Sequence, residues 1–239
     1  YEVGNSLRLD NNAYMQSANT NSTNNPWTFS VWIKRAKIGA EQTLIMSYTD
    51  SNDFGLIRFG GGDDLLVGDY VNGSYVMKYE TNRKFRDVGA WYHIVLAYDS
   101  TQATDTNRVK LYVNGTQQTL TAPSGYTFPP QNYAHLYSYA GANNTIGEYG
   151  ANFNSGYLDG YLSEFNFIDG LTLDPTYFGE TKNGVWIAKE YTGSYGTNGF
   201  RLQFDQVGVG TASTSTIGAD TSGKTNHLTS SGIAASDCA

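Results

Sequence analysis

Cysteine and charge are both scarce in this sequence. Cys238 is the only cysteine among 239 residues, which excludes an intrachain disulfide and a zinc site built from several thiolates. Charged residues make up 15% of the chain, against about a quarter in an average globular protein. Asparagine, glycine, serine, threonine and tyrosine are abundant instead. Since Gly and Asn favour turns while Thr and Tyr favour strands, the composition indicates short strands joined by many turns.

Positive charge and long apolar runs are also missing. The formal net charge is −7, and no cluster of Lys and Arg is present to neutralise phosphates. We therefore expect no nucleic-acid partner and no attraction to an anionic membrane. No apolar run is long enough for a membrane span, and no signal-peptide pattern opens the chain. Because the chain begins with Tyr1, we expect a processed protein or a part of a longer one.

Two-residue alternation is the dominant pattern. In the run 27–34, Trp27 and Phe29 fall on one face of a strand, and Ser30 and Trp32 fall on the other. Turn residues separate this run from its neighbours. Asn114-Gly115 predicts a two-residue hairpin between 110–113 and 116–120. Further strand-like runs lie at 6–10, 43–48, 55–59, 65–70, 75–79, 91–98 and 108–113.

The spacing of these runs predicts an all-β fold, a jelly-roll sandwich of two antiparallel sheets. One short helix is expected at 174–180, with Asp174 as N-cap and Pro175 at the first helical position. Residues 1–205 are predicted to form the sandwich domain. Residues 206–239 are predicted to be a polar C-terminal tail or a linker. Residues 121–156 are rich in Pro, Gly, Asn and Tyr, and are interpreted as a long loop or a pair of loops, which in a compact domain is usually functional or disordered.

Several segments follow one another in a recognisable order. They are 5–9 (Asn-Ser-Leu-Arg-Leu), 13–15, 27–35, 91–98 (Trp-Tyr-His-Ile-Val-Leu-Ala-Tyr), 109–115 (Val-Lys-Leu-Tyr-Val-Asn-Gly) and 158–165 (Leu-Asp-Gly-Tyr-Leu-Ser-Glu-Phe). Together they resemble the concanavalin A-like jelly roll of laminin-G and pentraxin type. The resemblance covers roughly residues 5–180 and implies the same sandwich, with the 174–180 helix after the returning strand.

A narrower resemblance concerns the last third of the chain. Segments 199–204 (Gly-Phe-Arg-Leu-Gln-Phe) and 218–229 (Gly-Ala-Asp-Thr-Ser-Gly-Lys-Thr-Asn-His-Leu-Thr) resemble a pattern in marine bacteriophage structural proteins that carry a laminin-G-like domain. This resemblance implies a virion fibre, decoration or receptor-binding protein. Fold-level analogy does not by itself fix a function.

Catalytic residue patterns are absent. Glycoside hydrolases need two carboxylates that flank the scissile bond, and no strand carries acidic residues at alternate positions. Asp159 and Glu164 lie five residues apart, so period two places them on opposite faces. His93 is interpreted as a packed strand histidine, and no Gly-x-Ser-x-Gly motif occurs. We therefore expect no enzyme and no cofactor.

A structural calcium ion is left open. Calcium takes 6–8 oxygen ligands from carboxylates, carbonyls and water. Asp63, Asp64 and Asp69 are the candidate ligands, since they lie in or beside a Gly-rich hairpin. Asp220 begins a second acidic loop, for which an Asx-turn is the simpler interpretation.

Aromatic residues give the stronger binding signal. Tyrosine rings provide rigid contact area for sugars or protein partners, and many of them occur in the turn-rich segment after residue 121. Some of them instead fit a further strand. The candidate ligand-binding residues are Tyr126, Tyr133, His135, Tyr137, Tyr139 and Tyr149.

Three functions compete. The leading hypothesis is a non-catalytic virion protein with a lectin-like domain, present as a homo-oligomer among other virion subunits at the virion surface, with a cell-surface glycan as a further partner. The alternatives are a secreted, extracellular carbohydrate-binding or adhesion module, and a polysaccharide-degrading enzyme whose acids converge from separate strands.

Overall fold

Two large antiparallel sheets make up most of the fold. The computed structural model describes residues 1–10, 12–18, 26–123, 125–126, 128–135, 137, 140–150 and 153–238. Within them, a seven-stranded and an eight-stranded sheet enclose a continuous cluster of buried apolar side chains that includes Trp27, Phe29 and Phe165. A separate two-stranded sheet lies outside this core. The predicted all-β jelly-roll sandwich is confirmed.

The described residues form strands β1 to β17 in chain order. They are β1 (Leu7–Leu9), β2 (Tyr14–Ala18), β3 (Trp27–Arg35), β4 (Gln42–Tyr48), β5 (Phe54–Phe59), β6 (Leu65–Val71), β7 (Ser74–Thr81), β8 (Tyr92–Tyr98), β9 (Val109–Val113), β10 (Thr116–Gln117), β11 (Leu120–Thr121), β12 (Asn143–Ile146), β13 (Gly160–Asp169), β14 (Gly179–Lys182), β15 (Val185–Ala188), β16 (Phe200–Leu202) and β17 (Thr229–Ser231).

Strand β3 occupies the middle of the seven-stranded sheet, whose order is β1-β13-β3-β8-β9-β10 with β16 also paired to β13. Its neighbours β13 and β8 are both antiparallel to it. Because side chains alternate along a strand, Phe29 and Val31 enter the core. Ser30 and Trp32 therefore lie on the outer face, as the alternation predicts.

The eight-stranded sheet has the order β11-β7-β6-β5-β4-β12-β2-β17. Strand β12 pairs with both β4 and β2, although its sequence falls inside the predicted long loops of 121–156. The chain switches sheets after the β9–β10 hairpin, whose Asn114 and Gly115 have φ of 49° and 76°. These positive φ values confirm the predicted two-residue turn. The predicted strand 116–120 is divided, because β10 stays in one sheet and β11 joins the other.

The predicted helix at 174–180 begins as expected but is shorter. Asp174 caps a 3-10 helix at Pro175–Tyr177 by accepting a hydrogen bond from the Thr176 amide over 2.8 Å. Residues from Gly179 onward form the β14–β15 hairpin instead. Its turn is Asn183-Gly184, where both residues have positive φ, so strand pairing ends the helix.

Residues 206–238 pack on the sandwich, where the sequence predicts a polar tail or linker. Strand β17 extends the eight-stranded sheet by pairing with β2. Ile217, Leu228 and Ile233 belong to the main core cluster. These few apolar side chains are enough to attach an otherwise polar segment, because each is buried against the sheets.

Candidate functional site

Two of the aromatic residues singled out in the sequence lie on the outer face of the eight-stranded sheet. The Tyr126 ring packs edge-on against Tyr75, with centroids 5.8 Å apart, and Tyr149 stacks on Phe153 at 4.6 Å. These rings pack chiefly on one another and form a small second cluster over the sheet. Tyr139 lies outside the described residues.

Three others lie in or beside the interior. His135 and Tyr137 are buried and stack in parallel, with ring centroids 4.8 Å apart. The Tyr133 hydroxyl donates a hydrogen bond to Asp69 Oδ2 over 2.6 Å. His135 and Tyr137 are therefore core residues and do not offer a contact surface, which corrects the sequence-based interpretation. Their rings fill the space beside Trp27.

The three candidate calcium ligands engage different partners. Asp63 is buried and accepts hydrogen bonds from Arg35 and Arg86, each over 3.1 Å. Asp64 pairs with Lys84 at 2.8 Å. Asp69 lies in the interior with Tyr133. No group of three or more acidic, histidine or cysteine side chains able to hold a metal occurs in the described ranges, so the structure does not bring these three carboxylates together.

The Asp220 carboxylate accepts hydrogen bonds from backbone amides of its own loop and of β16. Asp220 Oδ1 accepts hydrogen bonds from the amides of Arg201 and Ser222 over 2.9 and 2.8 Å, and Oδ2 accepts from the Asn226 amide over 2.9 Å. The Asp220 amide donates to His227 Nδ1 over 2.9 Å. The loop is the Asx-turn expected from the sequence. The segment 218–229 therefore fastens the end of the chain to β16.

A cavity of about 500 Å³ lies on the outer face of the seven-stranded sheet. Part of this face is covered by the segment after β13, where Phe178 and Tyr191 pack on Val95 and Ile168. The part of this segment that covers the sheet ends at the β14–β15 hairpin. The segment 1–6 also lines the cavity. The uncovered strip between hairpin and segment is a groove.

Three of the four tryptophans line this groove. Trp32 projects from the outer face of β3, Trp91 directly precedes β8, and Trp186 lies on β15. Trp91 is 36% exposed, and the other two are half-buried. Indoles on an outer sheet face are not needed for the core. Their position indicates a contact surface.

His93 holds two of these indoles in place. Its ring stacks on Trp32 at 4.8 Å, and its Nδ1 accepts a hydrogen bond from Trp186 Nε1 over 3.0 Å. Because the indole N–H is only a donor, the His93 proton lies on Nε2, which donates to Ser30 Oγ over 3.0 Å. Burial lowers the pKa of His93 to about 3. The ring is therefore neutral at ordinary pH, and its role is structural, as the sequence predicts.

Two glycines make room for the Trp186 indole. A Cβ at Gly115 would lie 2.7 Å from Trp186 Cζ3, and a Cβ at Gly179 would meet the other edge of the ring. Each of these two contacts would be closer than real Cβ atoms show. The β9–β10 turn and the start of β14 thus form a slot for the indole.

An ion-pair cluster adjoins the groove. A bulge in β13 places Glu164 at a positive φ of 46°, and Arg201 pairs with Glu164 at 3.0 Å and with Glu190 at 2.9 Å. The Tyr1 hydroxyl accepts from Arg201 Nη2 over 2.7 Å and donates to Glu164 Oε1. Burial, and then the bond to Glu164, raise the pKa of Tyr1 to about 12. Ser163 Oγ also binds the Asn5 carbonyl over 2.6 Å, so segment 1–6 is attached at two points.

The chemistry of the groove suits binding by contact. Three indoles and the Tyr1 ring contribute to the wall, and the polar residues Asn5 and Ser6 also line it. Among the described residues that line it, Glu2 is the only one with a carboxylate side chain. A cavity of this size is within the usual range for small-molecule sites, roughly 300–1,000 Å³.

The sandwich fold agrees with a family match of the sequence. Residues 9–176 match the family model of the concanavalin A-like lectin/glucanases superfamily. The chain belongs to this family. No curated protein matches the sequence.

In the described part of the chain, no helix has the length and apolar character needed to cross a membrane.

Solved structures are also similar to this chain. A candidate carbohydrate-binding protein from Bacteroides ovatus ATCC 8483 is similar with a TM-score of 0.56 and 16% identity, over 98% of this chain and 59% of its own length. At this identity the likeness concerns the fold alone. The heptameric SAP-like pentraxin from Limulus polyphemus gives a TM-score of 0.46 and 15% identity, over 69% of this chain and 76% of its own. Domains LG4-5 of the mouse laminin alpha1 chain give 0.47 and 9%, over 84% and 47%.

Proposed function

We propose that this domain is a non-catalytic glycan-binding module and that the tryptophan groove is its binding site. The supporting observation is the convergence of Trp32, Trp91 and Trp186 on one cavity outside the core. Sugar rings present an apolar C–H face that stacks on indole rings, and their hydroxyls bind neighbouring polar groups. The His93 hydrogen bond and the glycine slot hold Trp186 before any ligand arrives, which lowers the entropic cost of binding.

The carboxylates near the groove argue against hydrolysis. A glycosidase needs two carboxyl groups roughly 5–9.5 Å apart on either side of the bond. Glu2 is the only carboxylate side chain among the described lining residues. Glu164, which adjoins the lining residue Ser163, accepts hydrogen bonds from Arg201 on Oε2 and from Tyr1 on Oε1. Both carboxylate oxygens are therefore engaged by protein donors and do not face a substrate.

A glycan array followed by calorimetry tests the proposal. We expect saturable binding to at least one glycan, and Trp91→Ala should weaken it about five-fold or more, because stacking on one exposed aromatic ring contributes on the order of 1–3 kcal/mol in other stacked complexes. Val185→Ala is the matched control, since Val185 is an exposed apolar residue on the same hairpin as Trp186 but does not line the groove. Equal affinity in both variants would contradict the proposal.

We further propose that the module is displayed on a virion, as part of a homo-oligomer with other virion subunits, with an extracellular bacterial or eukaryotic adhesion module as the alternative. The support is the resemblance of segments 199–204 and 218–229 to marine bacteriophage structural proteins. In the fold, hydrogen bonds to Asp220 attach segment 218–229 to β16. The residues that carry the resemblance therefore have a structural role. Mass spectrometry of purified particles tests this: the chain should copurify with virions, and its presence only as a free monomer would contradict display.

A further inference from the structure

We infer that the tryptophan groove selects neutral glycans and discriminates against sulfated and uronic-acid polysaccharides. The inference rests on the proposed glycan-binding function and narrows it to a ligand class. Its basis is the charge of the groove and of the residues around it.

The wall of the groove contains no cationic side chain among the described lining residues. Tyr1 and Glu2 are the only ones there with ionisable side chains, and neither side chain carries positive charge. Recognition of a carboxylate or sulfate group ordinarily uses the guanidinium fork of Arg or the ammonium of Lys. An anionic sugar on Trp32 and Trp91 would lose hydration without gaining such a partner.

Three cations close to the lining residues are engaged by protein acceptors. Arg201 binds Glu164, Glu190 and the Tyr1 hydroxyl, and the two carboxylates outnumber the one guanidinium. Arg8 pairs with Asp159 at 2.6 Å and with backbone carbonyls. Lys189, which follows the lining residue Ala188, donates to the Thr176 carbonyl over 3.0 Å. These three cations are therefore already paired within the protein.

Lys34 is the one cation that shares the outer face of β3 with Trp32. It lies two residues further along the strand, about 6.6 Å away at the usual rise per residue. Lys34 is half-buried and does not line the groove. A Lys34→Ala variant therefore identifies an anion that binds at Lys34, outside the groove.

The tryptophan faces have the same preference. The face of an aromatic ring carries the negative part of its quadrupole, which attracts the electron-poor C–H groups of a neutral pyranose and repels an anion. The net charge of −7 also opposes the approach of a polyanion, although salt at about 0.15 M screens this beyond about 8 Å.

The experiment compares neutral and anionic polysaccharides by calorimetry at about 0.15 M salt. Laminarin, xylan and galactomannan are the neutral probes, and alginate and carrageenan are the anionic ones. We expect at least one neutral probe to bind, every anionic probe to bind about tenfold more weakly or not at all, and Trp91→Ala to weaken the neutral complex. Lys34→Ala should leave neutral binding unchanged.

The outcomes separate the two proposals. An anionic probe that binds most tightly and is lost in Trp91→Ala would overturn the neutral-ligand inference while leaving the groove as the binding site. Anionic binding lost in Lys34→Ala but kept in Trp91→Ala lies outside the groove, and with no neutral probe bound it would overturn both. Binding of none of the probes, with no hit on the glycan array, would overturn the proposed function itself.

Discussion

The Nε1–H of Trp186 donates a hydrogen bond to Nδ1 of His93 over 3.0 Å, joining the β14–β15 hairpin to the outer face of β8. This bond fixes both the tautomer of the imidazole and the orientation of the indole. It connects a buried strand residue to the proposed binding surface, so changes at His93 are expected to reach the ligand through Trp186.

Substitution of His93 is expected to weaken glycan binding without any direct contact. His93→Phe removes the acceptor for Trp186 and the donor to Ser30, whereas His93→Asn places an acceptor oxygen near the position of Nδ1. We expect His93→Phe to lose affinity several-fold and His93→Asn to retain more of it, since only the former leaves Trp186 without a partner, a loss of about 1–3 kcal/mol. Calorimetry with the glycan and urea unfolding separate binding from stability. Equal affinity in the two variants would contradict the positioning role.

Gly179→Ala is expected to displace the Trp186 indole. The added Cβ would meet the six-membered edge and Nε1 of the ring, so the indole must move and its bond to His93 is strained. We expect weaker glycan binding and a blue or red shift of tryptophan emission. Gly61→Ala is the control, because a Cβ at Gly61 meets nothing within 4 Å. A Gly179→Ala variant that binds like the control would show that the slot does not position Trp186.

Stability is expected to fall as the pH is lowered below about 6.5. Burial lowers the pKa of His93 and of His135 to about 3, from 6.5. Between pH 6.5 and pH 3 the unfolded chain takes up protons that the folded chain does not. The contribution of the two neutral histidines to the free energy of unfolding is therefore complete above about pH 6.5. Below that pH the free energy of unfolding decreases by up to about 1.4 kcal/mol per pH unit for each histidine.

Urea unfolding at several pH values in this window measures the slope. His93→Phe and His135→Phe should each make the pH dependence shallower, whatever their effect on stability at neutral pH, because each removes one titrating group. An unchanged slope in both variants would contradict the assignment of these histidines as buried and neutral in the folded state.

Asp63→Asn is expected to be strongly destabilising. Asp63 pairs with Arg35, which is fully buried and also binds Gln42 and the Phe85 carbonyl. Loss of the carboxylate leaves the guanidinium charge without its counter-ion, at a cost of about 3–5 kcal/mol. Asp64→Asn is the matched control, because its pair with Lys84 is partly exposed and contributes at most about 1 kcal/mol. Denaturant unfolding at neutral pH measures both, and equal losses would contradict the structural role of Asp63.

The sequence predicted most of the fold because its strands alternate cleanly. The run 27–35 separates core from outer face without ambiguity, and Asn114-Gly115 marks its hairpin. Strand β12 was missed since Asn143 and Asn144 are poor strand formers, and its pairing with β2 and β4 is set by tertiary structure. The Asn183-Gly184 turn was a readable hairpin signal, and it explains why the helix at Asp174 ends early.

The binding site was less accessible to sequence reasoning. Counting rings in the segment after residue 121 gave weight to His135 and Tyr137, whose burial depends on contacts with β3 and β8 that are distant in sequence. Trp32 carried a usable signal, because a tryptophan at an outward strand position has no place in the core. Trp186 reaches Trp32 and Trp91 only because the segment after β13 packs over the outer face of the sheet. No local sequence pattern indicates this packing.

A crystal structure with a bound neutral oligosaccharide would show which surface of the domain holds the sugar. We expect a sugar ring stacked on Trp32, Trp91 or Trp186, between segment 1–6 and the β14–β15 hairpin. A sugar bound instead on the outer face of the eight-stranded sheet, at Tyr126 and Tyr149, with the tryptophan groove empty, would contradict this expectation.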